Sequence, residues 1–164
     1  MKFAVDPLLS ADDGEHVGEI QDLTTEEQHI LRAIRIWMGG PAHHWQLRSF
    51  LHAAGVRSHQ VKSLHRALDA FMANIAIALE RQLWRHMPCC PQVSRDERLL
   101  LDLLHSAGTG EHQTAVSHAH MISRKDRVEA VADAAAWLSE ETQRAFKPEL
   151  SGVRHESSVA PVLH

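Results

Sequence analysis

The chain has few residues that would tie it together covalently or hold it in a membrane. Its only two cysteines, Cys89 and Cys90, are adjacent and cannot join distant segments, which is typical of a reducing, cytosolic compartment. The longest apolar run, residues 70–79, falls short of the roughly 20 residues that a membrane span requires. The first residues do not show the basic-then-apolar pattern of a secretory signal. We therefore expect a cytoplasmic protein that makes no membrane contact.

Motifs of covalent and nucleotide chemistry are also missing. The sequence has no nucleophile elbow, no phosphate-binding loop and no dinucleotide fingerprint. Gly108-Thr109-Gly110 is too short to cradle a phosphate, and the acidic pair Asp96-Glu97 lies at a predicted helix end, where carboxylates usually serve as caps. The sequence therefore predicts no catalytic residue, no cofactor and no complete set of metal ligands, and it favours a protein that acts by binding.

Acidic residues are absent from one long segment of the chain. Residues 28–68 contain six Lys and Arg and no Asp or Glu, whereas residues 1–27 contain eight acids and a single lysine. Charge segregated in this way indicates an anionic partner for the basic block, either nucleic acid or an acidic protein surface. The alternative is that the acidic segment docks on the basic block and neutralises it.

Glycine and proline are absent from residues 58–87, a stretch with a continuous helical pattern. Its apolar side chains recur at steps of three or four: Val61, Leu64, Leu68, Phe71, Met72, Ile75, Leu79 and Leu83. This period is that of one helix face. Some 28 helical residues would span roughly 42 Å at about 1.5 Å per residue, so the other helices are expected to pack along this one.

Shorter helices are predicted on both sides of the long one. Thr24 with Glu27 and Ser94 with Glu97 form capping-box patterns, which mark the first turns of two helices. Further helices are expected at about residues 42–54, where Trp45 is predicted to face inward, at about 111–121 and at about 123–147. The sequence thus predicts an all-α fold of about six helices in an orthogonal or bundle-like array around the helix at 58–87.

One domain accounts for most of the chain. The predicted helices lie within residues 23–147, and 164 residues are enough for a single core. Residues 1–22 are acidic and show no period, so a flexible arm is expected there. Residues 148–164 also lack a period, which predicts a disordered tail.

A pattern around Gly55 resembles the helix-turn-helix of bacterial repressors. Gly55 stands where that motif has its turn glycine, and Val61 follows six residues later, where a β-branched residue anchors the recognition helix. The pattern covers residues 44–66, and it departs from the motif at Leu51, where a small residue is usual. The resemblance implies that the second helix of the pair enters the major groove of DNA. The residues then expected to meet phosphates and bases are Arg48, Arg57, Ser58, His59, Lys62 and Arg66. The alternative is a helical hairpin in which Gly55 only turns the chain.

The corner at residues 86–90 carries a second pattern, His86-x-x-Cys89-Cys90. Zinc and iron sites use imidazole and thiolate ligands at such separations, which suggests a metal-dependent sensor or enzyme. A structural site needs four ligands, and the sequence does not dictate the others. The alternative is a corner in which both cysteines act as small apolar residues.

Self-association is the last expectation from the sequence. Ile77 and Trp84 fall outside the main apolar stripe of the long helix, and a surplus apolar face on a long helix often meets a second copy of the chain. The leading hypothesis is a non-enzymatic, cytosolic helical protein with a regulatory or adaptor role, forming a homodimer and contacting its partner through residues 28–68. The helix-turn-helix regulator and the metal protein are the alternatives.

Overall fold

Helices dominate the computed structural model, which describes residues 3–5 and 16–146. The six α-helices are α1 (Thr25–Met38), α2 (His44–Ala53), α3 (Ser58–Ala78), α4 (Arg95–Gly108), α5 (His112–His120) and α6 (Val128–Phe146). Single-turn 3-10 helices occur at Ile20–Asp22, Pro41–His43 and Lys125–Arg127. The all-α prediction of about six helices is therefore confirmed. None of the described helices is both long and apolar enough to cross a membrane.

Two capping boxes fix where α1 and α4 begin. The Thr24 hydroxyl accepts the Glu27 amide proton at 3.2 Å, and the Glu27 carboxylate accepts the Thr24 amide proton at 2.8 Å. Ser94 and Glu97 repeat the arrangement at 3.1 and 2.9 Å. Each box satisfies amide groups that would otherwise lack partners in the first turn, so both helix starts follow from local sequence.

The core lies between α3, α4 and α6. Helix α6 packs against α3, α4 and α5, and its inward stripe of Val131, Ala135 and Leu138 is fully buried. Small residues on α6 let its backbone approach the larger side chains of α3, among them Phe71 and Ile75, both also fully buried. The centre of the array is thus shared by α3 and α6, whereas the sequence placed it on α3 alone.

Helix α3 ends at Ala78, nine residues before the predicted end at Met87. Leu79 leaves the helix with extended backbone angles and forms an isolated antiparallel bridge to Ser123. The Ala78 carbonyl accepts a hydrogen bond from the Arg124 amide at 2.9 Å. The apolar spacing in the sequence extends to Leu79 and Leu83, and both side chains are indeed buried. They lie after the end of α3, however, so the spacing overestimates the length of the helix.

Four short strands were not predicted: β1 (Phe3–Val5), β2 (His16–Glu19), β3 (Leu83–Arg85) and β4 (Gln92–Ser94). Strand β1 pairs with β3 in parallel, and β2 pairs with β4 in antiparallel orientation. The expected flexible arm at residues 1–22 is therefore partly paired backbone, and its described parts lie against β3 and β4. Residues 1–2 and 6–15 of that arm, and the predicted tail at 148–164, lie outside the described residues.

Candidate functional site

The hairpin of α2 and α3 is closed by a four-residue link at residues 54–57. Gly55 has a φ of +86°, a left-handed conformation that a residue with a Cβ adopts only at a cost. The Gly55 and Val56 amides donate to the His52 and Leu51 carbonyls, each at 3.0 Å, which satisfies the end of α2. The turn is therefore specified by glycine, as the sequence pattern indicates.

The buried side of the hairpin is apolar. Leu47 and Leu51 of α2 are fully buried, and Val56 and Val61 are 3% exposed. Val61 thus packs the first turns of α3 into the core. Leu51 also occupies the core at the position where a small residue is usual, so the packing of the two helices differs from the repressor motif at that point.

All six residues predicted to meet an anionic partner are exposed: Arg48, Arg57, Ser58, His59, Lys62 and Arg66. Arg48 lies on α2, Arg57 precedes α3, and the other four lie on the first turns of α3. Because a helix turns about 100° per residue, these four positions of α3 fall within one arc of about 100°. All six predicted residues are therefore accessible, and the four on α3 share one face of that helix.

Helix α2 adds two residues that sequence reasoning missed. Trp45 is 67% exposed, which corrects the prediction that it faces inward. Helix α2 begins at His44 and buries Leu47 and Leu51, so Trp45 lies about 200° away from Leu47 on the opposite face. Trp45, Arg48 and His52 follow at steps of three and four, and all three are exposed. This exposed face of α2 and the exposed arc of α3 are together called the hairpin face below.

Three carboxylates on α3 and near the end of α6 are already engaged. Asp69 accepts a hydrogen bond from the Trp37 indole at 2.7 Å. The Gln60 side chain donates to the Arg144 carbonyl at 2.8 Å, which brings the end of α6 beside α3. There Arg144 pairs with both Glu140 and Glu141. Asp69, Glu140 and Glu141 therefore have cationic or indole partners of their own.

One member of the basic block is unavailable to any partner. Arg35 is fully buried, and its guanidinium forms a two-pronged ion pair with Glu97 at 2.7 and 2.8 Å. It also donates to the carbonyls of Met87, Cys90 and Gln92 at 3.3, 2.8 and 2.6 Å. Arg35 therefore ties α1 to α4 and to the cysteine corner, which corrects its assignment to the contact surface.

The cysteine corner is a tight turn between β3 and β4. The Cys90 amide donates to the Met87 carbonyl at 3.0 Å, and Cys89 is exposed. His86 is buried, and its ring stacks on that of His16 with centroids 5.1 Å apart. Among residues 3–5 and 16–146, no group of three His, Cys, Asp or Glu side chains is arranged to hold a metal ion.

A pocket of about 470 Å³ lies between α1, α4 and α6. Glu26 lines it, and burial, with a smaller contribution from the negative charge of Glu27, raises the pKa of the Glu26 carboxyl. Glu27 serves its capping box, and Thr142 donates to the Leu138 carbonyl at 2.7 Å. Glu27 and Thr142 at this pocket thus each serve their own helix.

Comparison of the chain with protein-family models, with curated proteins and with solved structures returned no match.

Proposed function

We propose that this protein is a non-enzymatic regulatory binding protein of the cytoplasm, and that it binds duplex DNA through the hairpin face. The observation that carries the proposal is the exposure of Arg48, Arg57, Lys62 and Arg66 on a single helical hairpin whose residues 44–66 include no Asp or Glu. Clustered Lys and Arg displace counterions from the phosphate backbone, which is the main source of affinity in such complexes.

The chemistry of the hairpin face also suits a nucleic acid. Phosphates would be met by Arg57 and Lys62 at the start of α3, where the helix amides that lack partners also favour anions. Trp45 is an exposed aromatic one turn before Arg48 on α2, and its indole N–H is a hydrogen-bond donor that can reach a phosphate. The proposal rests on this charge and exposure, because Leu51 and the 21-residue length of α3 both depart from the repressor motif.

The test is a titration of a fluorescently labelled 20-base-pair duplex at 50 and 200 mM salt. Four phosphate contacts give a slope of log K against log salt of roughly −3.6, so affinity falls about a hundredfold between the two concentrations. Arg57→Ala and Lys62→Ala are each expected to weaken binding and to reduce that slope by about one.

Lys125→Ala is the matched control, because Lys125 is an exposed cation outside the hairpin. This variant should bind as the unsubstituted protein does. Failure to bind at 50 mM salt, or an equal loss with Lys125→Ala and Lys62→Ala, would overturn the proposal.

Self-association is a second proposal, supported by a groove between β2, β3, α4 and α5. The groove has a volume of about 740 Å³ and is lined by Val17, Trp84, Leu99 and Met121. Val17 and Met121 are 50% and 58% exposed, which is high for apolar side chains. Arg95 and Asp102 lie at the same groove, so a second copy brings both signs of charge to it. Trp84 contributes from strand β3, which corrects its placement on the long helix.

A further inference from the structure

A pocket of about 610 Å³ opens between α1, α2 and the cysteine corner. Small-molecule sites in proteins usually measure about 300–1,000 Å³, so this pocket is large enough for one. Its apolar lining includes Ile20, Ile36 and Phe50, and Cys89 and Cys90 of the corner also line it. It lies outside the hairpin face, although Phe50 belongs to α2.

Hydrogen bonds hold the cysteine wall in place. The buried Arg35 guanidinium, on α1, donates to the carbonyls of Met87, Cys90 and Gln92 and so fixes the corner over the helix. The Ile20 amide donates to the Pro91 carbonyl at 2.7 Å from the other side. The pocket is therefore formed before any ligand arrives, which lowers the ordering cost of binding.

The only formal charge on the pocket lining is positive. Arg32 lies on α1 one turn before Ile36, and it is half-buried. Within residues 3–5 and 16–146, Arg32 has no ion pair. Its field also contributes, after burial, to the lowered pKa of the neighbouring His29 imidazole. An apolar pocket with one uncompensated guanidinium is complementary to an apolar ligand that carries one negative charge.

We propose that this pocket binds an apolar small molecule with a single carboxylate. The carboxylate pairs with Arg32, and the apolar portion lies on Ile36 and Phe50 with its side against the two cysteines. No covalent step is involved, since the cysteines act here as small, polarizable wall residues. The proposal does not depend on DNA binding and concerns a different surface.

Decanoate is the test probe, and decyltrimethylammonium is its matched cation. Calorimetric titration is expected to show binding of decanoate and at least tenfold weaker binding of the cation. Arg32→Gln should weaken the affinity for decanoate by about tenfold or more, because a charge-assisted ion pair is lost. Arg32→Lys keeps the charge and should retain most of the affinity, which separates loss of charge from loss of fold. Lys125→Gln removes a cation elsewhere and should leave decanoate affinity unchanged.

Alkylation of Cys89 by N-ethylmaleimide tests whether decanoate binds in this pocket. Cys89 is exposed in the free protein, so mass spectrometry should show its modification slowing when decanoate is present. In Arg32→Gln that protection should disappear at the same decanoate concentration. Equal binding of the two probes, equal affinity of Arg32→Gln and the unsubstituted protein, or unprotected Cys89 at saturating decanoate would each overturn the assignment.

Discussion

Among single residues, Glu97 has a buried carboxylate that accepts four hydrogen bonds. One carboxylate oxygen accepts from Arg35 at 2.7 Å and from the His86 amide at 2.9 Å. The other accepts from Arg35 at 2.8 Å and from the Ser94 amide at 2.9 Å. Glu97 therefore caps α4, neutralises Arg35 and holds the start of the cysteine corner at once.

Glu97→Gln is expected to destabilise the protein by about 3–5 kcal/mol, since it leaves the buried Arg35 charge uncompensated. Urea unfolding followed by Trp fluorescence measures the change. Asp102→Asn is the matched control, because the Arg98–Asp102 pair is exposed and should contribute less than about 1 kcal/mol. Similar losses in the two variants would show that the buried pair contributes little.

His29 gives the protein a specific pH dependence. Burial, with a smaller contribution from Arg32, lowers the pKa of its imidazole below 6.5, and its ring stacks on Phe146 with centroids 4.9 Å apart. The unfolded chain therefore binds a proton at His29 at a higher pH than the folded chain does. Stability from this group is complete above pH 6.5 and declines as the pH falls below that value.

We expect His29→Gln to flatten the dependence of the urea midpoint on pH between 7.5 and 5. The relevant quantity is the difference between variant and unsubstituted protein at each pH, because the other histidines contribute equally to both. Identical slopes for the two proteins would contradict a lowered imidazole pKa at this position.

At the scale of elements, the contact of α4 with α6 depends on a missing side chain. A Cβ added to Gly108 would lie 2.0 Å from the Ser139 hydroxyl oxygen and 3.0 Å from the Ser139 Cβ. The end of α4 thus approaches α6 more closely than any other residue allows. The Gln143 amide spans the same contact by donating to the Gly108 carbonyl.

Gly108→Ala is expected to cost about 1–3 kcal/mol through overpacking. In a Ser139→Gly background the same substitution should cost at least about 1 kcal/mol less, since both Ser139 atoms are absent and only the flexible end of Gln143, 2.9 Å away, remains close. Thermal unfolding of the four proteins of this double-mutant cycle measures the coupling. Additive effects would place the strain elsewhere.

The elements differ in how far the sequence predicts them. The starts of α1 and α4 follow from capping boxes within four residues, so local reading succeeds there. The end of α3 depends on Ser123 and Arg124, which are more than 40 positions away and invisible to a local pattern. Strand β3 was missed for a different reason. Its three residues are too few to show the alternation that marks a strand.

Some features of the candidate sites also follow from the sequence, and others do not. Exposure of Lys62 and Arg66 follows from the polar positions of an amphipathic helix. The burial of Arg35 also had a signal, since Leu31, Arg35 and Met38 share the inward face of α1. A cation in a buried stripe requires a buried carboxylate, but nothing in the sequence shows that the carboxylate is Glu97. The pocket beside Arg32 needs three elements to assemble, so only the structure reveals it.

For the whole molecule, self-association through the groove at Met121 predicts the molecular mass in solution. We expect light scattering at micromolar concentration to give the mass of a dimer, and Met121→Lys to shift it towards the monomer because a buried charge opposes association. Thr114→Lys places the same charge on an exposed position of α5 outside the groove lining and should remain dimeric. A monomeric unsubstituted protein would end the proposal.

The pairing of the first strands with later ones has a consequence for synthesis on the ribosome. Strands β1 and β2 find their partners only at residues 83–85 and 92–94, so most of α1, α2 and α3 emerges before the beginning of the chain can dock. Contacts so distant in sequence form late, because closing long loops costs entropy. The nascent chain therefore carries β1 and β2 unpaired until residues 83–94 have emerged, and α4, α5 and α6, which supply the rest of the core, follow only after that.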